Sequence, residues 1–466
     1  MGLDELRNRS DEAASMLLEL AKKRSNILVY SHYDADGIAA ASILAKSIWR
    51  AGGNFTIRIC PEMLQQRLSG LEAYDLVLFC DLGMGWVGSI GSSISKWAVI
   101  DHHKSNEANH KDNVINSWSF GIDGGHDVCT SSMAYLIAAG MEKSNQDLAW
   151  IAVVAALADR QDQSTGRVLT GINKAVLDDA IEAGSVSVSR DLIMYGRETR
   201  PIHKAIATTS TPYIPGLTGS LDACLGAVAT AGISQKEDGR WRTLSDLSEQ
   251  EKGTLLEAII PYLSRSASPD DLVDELFGEV YTLVKEDPYS PLRDAREFGT
   301  FLNACGRSRR QGLGVTLCIG DRLGAYSEGE EVLSLYKSTL GRYIQVILTE
   351  QARIVEKEST RIIVGDKLVD ENMLGPLASI LSGMDKFAKK VLIVRTSTEE
   401  SVMKCSVRKG KGFDLNIELG PLFESISEQT GGSGGGHPAA AGARIPISRA
   451  EDFLQKVVSS IDGKQS

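Results

Sequence analysis

An α/β fold built on a parallel sheet is predicted by three features of the 466-residue sequence. Short apolar runs at residues 27–30, 76–80 and 97–100 have the length and composition of buried strands. Helical or turn-rich sequence separates them, the pattern of βαβ units. Each run leads directly into acidic residues: Asp34 and Asp36 after the first, Asp81 after the second, Asp101 after the third.

The elements follow in order. An amphipathic helix over residues 3–23 precedes the first strand, and a helical stretch over 38–49 follows the loop Ser31-His32-Tyr33-Asp34-Ala35-Asp36-Gly37. The apolar run 148–157 predicts a buried helix ending near Asp159. After about residue 190 the patterning weakens into a helix-rich segment without a chemical motif, which predicts an insertion over 191–290. Residues 291–325 are expected to complete the first domain, 1–190. Apolar residues at Val332, Tyr336, Leu340, Tyr343 and Ile347 predict one long amphipathic helix over 326–357 linking two lobes. Strand-like runs at 361–364, 391–394 and 402–407, with a glycine-rich turn, describe a smaller α/β domain over 358–466.

Composition narrows the function. Seven scattered cysteines, an odd number and mostly inside apolar runs, suit reduced thiols in a reducing compartment. The first 30 residues are charged and amphipathic, and no apolar run approaches the roughly 18 to 20 residues that span a bilayer. A cytoplasmic protein with no membrane partner is expected. The formal charge of −11 argues against a broadly basic coat for nucleic acid, but it does not exclude an enzyme whose acidic residues surround cations.

The three acidic strand ends carry the chemistry. In an open parallel sheet, ligands bind beyond the carboxyl ends of the strands, so Asp34, Asp36, Asp81 and Asp101-His102-His103 are expected to converge on one crevice, joined by Asp159. A lone Asp after a strand is usually a turn or helix cap; three such coincidences, one with a D-H-H triplet, are not. Mixed carboxylate and imidazole ligands suit manganese, zinc or iron better than calcium, and a carboxylate shared by two ions suits phosphoryl chemistry.

At these residues the sequence resembles the DHH phosphoesterase superfamily, and its order of motifs resembles RecJ-type single-strand exonucleases, particularly the archaeal RecJ-like nucleases associated with the GINS replication complex. The carrying motifs are HYDADG (32–37), CDLG (80–83), DHH (101–103), ALADRQD (156–162), LNACGR (302–307) and GGGHPAAAG (434–442). The resemblance implies a DHH catalytic domain, a helix-rich insertion and a DHH-associated, substrate-binding C-terminal domain. It implies two divalent ions, with manganese the first choice and magnesium, cobalt or zinc as alternatives. His32, Asp34 and Asp81 would hold one ion, and Asp36, Asp81, His102 and Asp159 the other. His103 would contact the scissile phosphate, with Asp101 orienting the histidine pair.

The C-terminal motif also has a direct physical reading. Gly434, Gly435 and Gly436 are expected to offer backbone N–H groups to an anion, and His437 a side-chain donor. The segment around Arg408 resembles one that contacts the substrate backbone, and Arg307 is expected either to hold a phosphate or to brace the long helix. The implied activity is exonucleolytic hydrolysis of single-stranded DNA and/or RNA in replication or repair, with GINS or other replication proteins docking on the 191–290 insertion. Three alternatives stand beside it: a phosphodiesterase for short oligoribonucleotides or cyclic dinucleotides, a manganese pyrophosphatase, and a noncatalytic replication scaffold. Direction of digestion and choice between DNA and RNA leave no mark in the sequence.

Overall fold

The computed structural model describes residues 2–63, 67–104, 112–164, 166–209, 213–263 and 276–463. The chain divides into two compact units, the first spanning Met1–Thr209 and Ile214–Leu333 and the second built mainly from Ser334–Ser466.

In the first unit, α1 (Gly2–Lys22) precedes β1 (Asn26–His32), α2 (Ala35–Arg50), β2 (Asn54–Cys60), β3 (Leu76–Cys80), α3 (Val87–Ser93), β4 (Trp97–Asp101) and β5 (Val114–Asn116). The five strands form a wholly parallel sheet in the order β2-β1-β3-β4-β5. The three strands with acidic ends are therefore neighbours at its centre. β3 and β4 are buried along their whole length, as continuous apolar runs in a covered parallel sheet should be. β2 lies at an edge and alternates between exposed and half-buried residues, so it carries no such run.

Helices α4 (Thr130–Met141), α5 (Ala149–Ala158) and α6 (Gly171–Glu182) follow. α2 is buried on almost every face, which explains its run of alanines: small side chains allow neighbouring helices close approach. The insertion carries α7 (Ile202–Thr208), α8 (Leu221–Thr230), the short hairpin β7 (Lys236–Glu237) and β8 (Arg240–Trp241), and α9 (Glu249–Leu263). Its root is an antiparallel pair, β6 (Val186–Leu192) with β9 (Phe277–Leu283). It holds a hydrophobic core of its own that includes Ile206, Leu217, Val228, Leu255 and Ile259. Then come α10 (Ala295–Arg307), α11 (Gln311–Ile319) and α12 (Gly324–Thr349).

α12 buries all five apolar residues expected to line the long helix, but it starts earlier and stops at Thr349. The cause lies downstream: β10 (Ile354–Glu356) pairs antiparallel with β11 (Thr360–Val364), a hairpin that residues 354–356 could not join as helix. The second unit continues with α13 (Leu374–Ser382), β12 (Val391–Ser397), β13 (Val402–Lys409), α14 (Leu419–Gln429), β14 (Ser433–His437), β15 (Ala440–Pro446) and α15 (Ala450–Asp462). Its mixed sheet has the order β10-β11-β12-β13-β15-β14. α14 and α15 cover one face, burying Met403, Val407, Phe423, Ile445 and Phe453 together. Among the described residues, no helix is long and apolar enough to cross a membrane.

The expected glycine-rich turn is a strand. Gly434, Gly435 and Gly436 lie in β14, at the edge of the second sheet and paired with Ala443, Gly442 and Ala441. They are not loop amides open all round. Close packing requires two of them: a side chain at Gly434 would collide with Ser427 of α14 and one at Gly436 with the Ala440 carbonyl, and a side chain at Gly420 of α14 would meet the Gly436 carbonyl in turn.

Candidate metal centre

The carboxyl ends of β1, β3 and β4 gather eight of the sequence-predicted residues. His32 closes β1. Asp34 is the N-cap of α2, its Oδ1 accepting the Gly37 N–H at 3.1 Å; this cap starts the helix at Ala35, three residues earlier than expected. Asp36 is therefore a helical residue in the first turn of α2, and not a loop residue. It is 2% exposed, and its carboxylate accepts the backbone N–H groups of Thr130 (2.9 Å) and Ser131 (2.8 Å) at the start of α4. Asp81 follows β3 with φ at +59°, a left-handed conformation rare outside glycine, while its N–H still bonds the Ile100 carbonyl at 3.0 Å.

Asp81 lies between two groups of donors. Its Oδ2 is 3.4 Å from His32 Nδ1, which is 3.0 Å from Asp34 Oδ2. Its Oδ1 is 3.4 Å from His102 Nε2 and accepts a hydrogen bond from Thr130 Oγ1 at 3.2 Å. His102 Nε2 is also 3.8 Å from Asp36 Oδ2 and 3.6 Å from Asp159 Oδ2. Three sets of donor atoms each lie within 4.8 Å of one another: His32, Asp34 and Asp81; Asp36, His102 and Asp159; and Asp81, His102 and His103.

The histidines are oriented from behind. His102 Nδ1 sits 2.5 Å from the Gly124 carbonyl. A carbonyl only accepts, so Nδ1 carries the proton and Nε2 faces the carboxylates, as a ligand nitrogen should. Trp118 Nε1 donates to the His102 carbonyl at 2.9 Å. His103 is the exposed member, its side chain 40% accessible, with Nδ1 2.7 Å from Asp101 Oδ1; Asp101 also accepts the His103 N–H at 3.1 Å.

The field of the site is strongly negative. Burial and the Asp81 carboxylate push Asp36 up to about 7. Burial, opposed by His102 and aided by Asp34 and Asp81, takes Asp159 up to about 6. Burial alone would depress His32 and His102, yet the surrounding carboxylates hold both well above the ordinary histidine range. Such a field draws in cations. His32 Nδ1 and Asp81 Oδ2 are buried and face each other at 3.4 Å, an ion-pair contact without hydrogen-bond geometry, and buried polar atoms so placed are better satisfied by a shared cation. The donor set fits divalent ions on both counts.

Sequence reasoning did not single out the supports. Gln161 and Asn173 form a buried amide pair behind His102 and Asp159. Asn303 Oδ1 accepts the Ala35 N–H at 3.2 Å, and a side chain at Gly306 would collide with the Tyr33 carbonyl. The segment LNACGR thus buttresses the loop that carries His32 and Asp34. Arg307 belongs to this buttress, its guanidinium 5.6 Å from the centre of the Tyr33 ring. These contacts brace the first motif.

Arg408 and His437 are in the second unit. Strand register places Arg408, Ala440 and His437 in one row, and Ser406, Gly442 and Gly435 in the row two residues along on the same face. Directly paired residues share a face, so Arg408 and His437 stand on the side of the sheet away from α14 and α15. Small residues lie between them. Arg408 Nε donates to Ser379 Oγ at 3.1 Å and Nη1 to Ser406 Oγ at 3.0 Å.

Three family models match the chain: the DHH family N-terminal domain at residues 26–158, the DHH-CID domain at 194–277 and the DHHA1 domain at 359–462. Uncharacterized protein MJ0831 of Methanocaldococcus jannaschii is 26% identical over 453 residues, 94% of each chain. Among solved structures, CDC45 from Entamoeba histolytica is similar with a TM-score of 0.64 and 15% identity, covering 98% of this chain and 99% of its own. RecJ from Thermus thermophilus in complex with Mn2+ has a TM-score of 0.60 and 16% identity over 97% of this chain, which spans 55% of that one. A second exonuclease RecJ, bound to manganese, has a TM-score of 0.55 and 16% identity, covering 97% and 94%. At these identities the structural likeness concerns the fold.

Proposed function

Because the chain belongs to the DHH superfamily and is RecJ-like in its domains and fold, we propose that it is a divalent-metal-dependent exonuclease hydrolysing phosphodiester bonds of single-stranded DNA and/or RNA. The observation that carries this reading is Asp81, with one carboxylate oxygen toward His32 and the other toward His102. His32, Asp34 and Asp81 would hold one ion, and Asp36, Asp81, His102 and Asp159 the other, with manganese the first choice. When bound there, such ions stabilise charge on phosphoryl oxygens and lower the pKa of a water.

The chain's own groups do the rest. Asp101 fixes the ring of His103 through Nδ1 and favours its charged form, so His103 serves as a donor to a non-bridging phosphate oxygen as charge grows there. Asp81 and Asp36 are held by backbone and hydroxyl donors, so they need no reorganisation during reaction. In the second unit, Arg408, His437 and the edge strand of Gly434, Gly435 and Gly436 supply a sequence-independent grip on phosphates. Replication or repair is the setting, with the 191–290 insertion, which has its own core, as the docking element for GINS or another replication protein.

The test is incubation of the protein and manganese with single-stranded DNA and RNA, each labelled separately at either end. A ladder shortening from one end establishes an exonuclease, its direction and its preferred polymer. Cleavage restricted to fragments of a few nucleotides would favour a short-oligonucleotide phosphodiesterase. Metal binding without hydrolysis of any substrate would favour a noncatalytic scaffold.

A further inference from the structure

The donors and acceptors behind the metal centre form a chain with a single direction. It starts at a backbone group whose role is fixed: the Cys129 N–H donates to Asn173 at 3.2 Å, so the atom it meets is the carbonyl oxygen Oδ1, which also accepts from Ser132 Oγ at 2.7 Å. The other arm of Asn173 is then the NH2, and it donates to Gln161 at 2.5 Å, which must therefore present Oε1. That leaves Gln161 Nε2 as the donor on the far side. It faces the Gly124 carbonyl at 2.9 Å, Asp159 Oδ2 at 3.1 Å and the Val128 carbonyl at 3.2 Å, with His102 Nδ1 at 3.3 Å. Gly124 is the carbonyl that takes the His102 Nδ1 proton. Gln161 is 1% exposed and Asn173 also 1%, so water does not compete for these bonds.

We propose that Gln161, with its amide orientation locked by Asn173, is a positioning residue that sets the geometry of two ligands of one ion, Asp159 directly and His102 through the Gly124 carbonyl. One NH2 group thereby fixes both the carboxylate rotamer of Asp159 and the tautomer that turns His102 Nε2 toward Asp36 and Asp81. His32 and Asp34, on the other side of Asp81, lie outside its reach. The inference rests on the reading of a two-ion centre and adds that the two ions have separable supports.

Two variants discriminate, one isosteric and one a truncation. Gln161→Glu keeps the acceptor for Asn173 but sets a carboxylate oxygen against Asp159 and the Gly124 carbonyl. Asn173→Ala leaves every ligand and Gln161 in place but frees the Gln161 amide to turn over. Metal-free full-length protein is titrated with MnCl2 by calorimetry, spin coupling between bound Mn2+ ions is followed by electron paramagnetic resonance, and the melting temperature is measured without metal. Wild type is expected to bind two Mn2+ ions. Gln161→Glu is expected to weaken one of the two by about 10 to 100-fold, the range typical of outer-shell partners, while the other stays within about twofold. Asn173→Ala should weaken the same ion less, and the double variant no more than Gln161→Glu alone, because Asn173 acts through Gln161.

Equal weakening of both ions in step with a lower melting temperature would reduce Gln161 to a structural core residue and overturn the proposal. So would unchanged titrations in both variants, or additive losses in the double variant. A wild type that binds no Mn2+ would instead sink the two-ion reading, an outcome visible before any variant is made.

Discussion

The carboxylate of Asp36 accepts the Ser131 N–H at 2.8 Å, so a residue proposed to hold an ion also caps the helix Thr130–Met141. Removing it leaves the Thr130 and Ser131 amides without their acceptor, a cost of about 1 to 3 kcal/mol for a buried group, partly offset by relief of carboxylate repulsion. Asp81 is different: its +59° φ suits asparagine and strains alanine. Asp36→Ala should therefore lose activity and stability together. Asp81→Asn should lose at least about a hundredfold in rate, as expected when a shared ligand is weakened, while its metal-free melting temperature stays near wild type. A comparison of melts and initial rates decides; a larger melting loss in Asp81→Asn than in Asp36→Ala would contradict the cap.

Metal removal gives a second prediction. Exhaustive chelation should abolish hydrolysis, and added manganese should restore it best or near best, since the donors are mixed carboxylate and imidazole. Because ions would bind the folded chain and not the unfolded one, the melting temperature should climb with MnCl2; a hundredfold excess over Kd corresponds to about 2.7 kcal/mol. Full activity at verified negligible metal content would end the metal-dependent reading.

The uneven legibility of the chain follows from its physics. Strands such as Leu76–Cys80 were legible because burial on both faces demands an unbroken apolar run, and the acidic residues after them marked the crevice. Asn54–Cys60 passed unnoticed because an edge strand needs only half of its residues buried. Ser433–His437 reads as a turn because glycine is ordinarily depleted in strands; here the helix at Ser427 leaves no room for a side chain at Gly434, nor the Ala440 carbonyl for one at Gly436. Asn173 left no signal, since a lone amide discloses its partners only in three dimensions, and Gln161, although inside ALADRQD, does not show there which groups it meets. Asn303 had one: it lies inside LNACGR, a segment whose buttressing role its composition does not suggest.

That buttress yields a third prediction. Gly306→Ala places a methyl group against the Tyr33 carbonyl, and tight backbone contact cannot yield as a flexible side chain would. A destabilisation of about 1 to 3 kcal/mol is expected, together with a displaced His32–Asp34 loop. Activity at saturating manganese should fall more than tenfold, the scale set by a small misplacement of reacting groups. If Gly306→Ala melts lower but turns over substrate normally, LNACGR supports the fold and not the centre.

The last prediction separates a nuclease from a hydrolase of small phosphoesters. Arg408 and His437 share a row on the face of the second sheet away from α14 and α15, and the proposed function assigns them to phosphates other than the one cleaved. A polymer engages such a surface and a small chromogenic phosphodiester does not. Binding energy remote from the reacting bond raises kcat/KM only for the substrate that reaches it. His437→Ala is therefore expected to slow oligonucleotide cleavage at least tenfold while changing the small diester less than about threefold, a gap of the size one charge-assisted contact supplies. Rising salt should suppress polymer turnover selectively as well, because each phosphate contact releases counterions. The measurement is kcat/KM for both substrates, wild type and His437→Ala, across a salt series. Equal losses on both substrates would move His437 to the reaction centre itself. Loss on neither would leave the strand Ser433–His437 a purely structural edge, and short substrates would then be the better account of the chain.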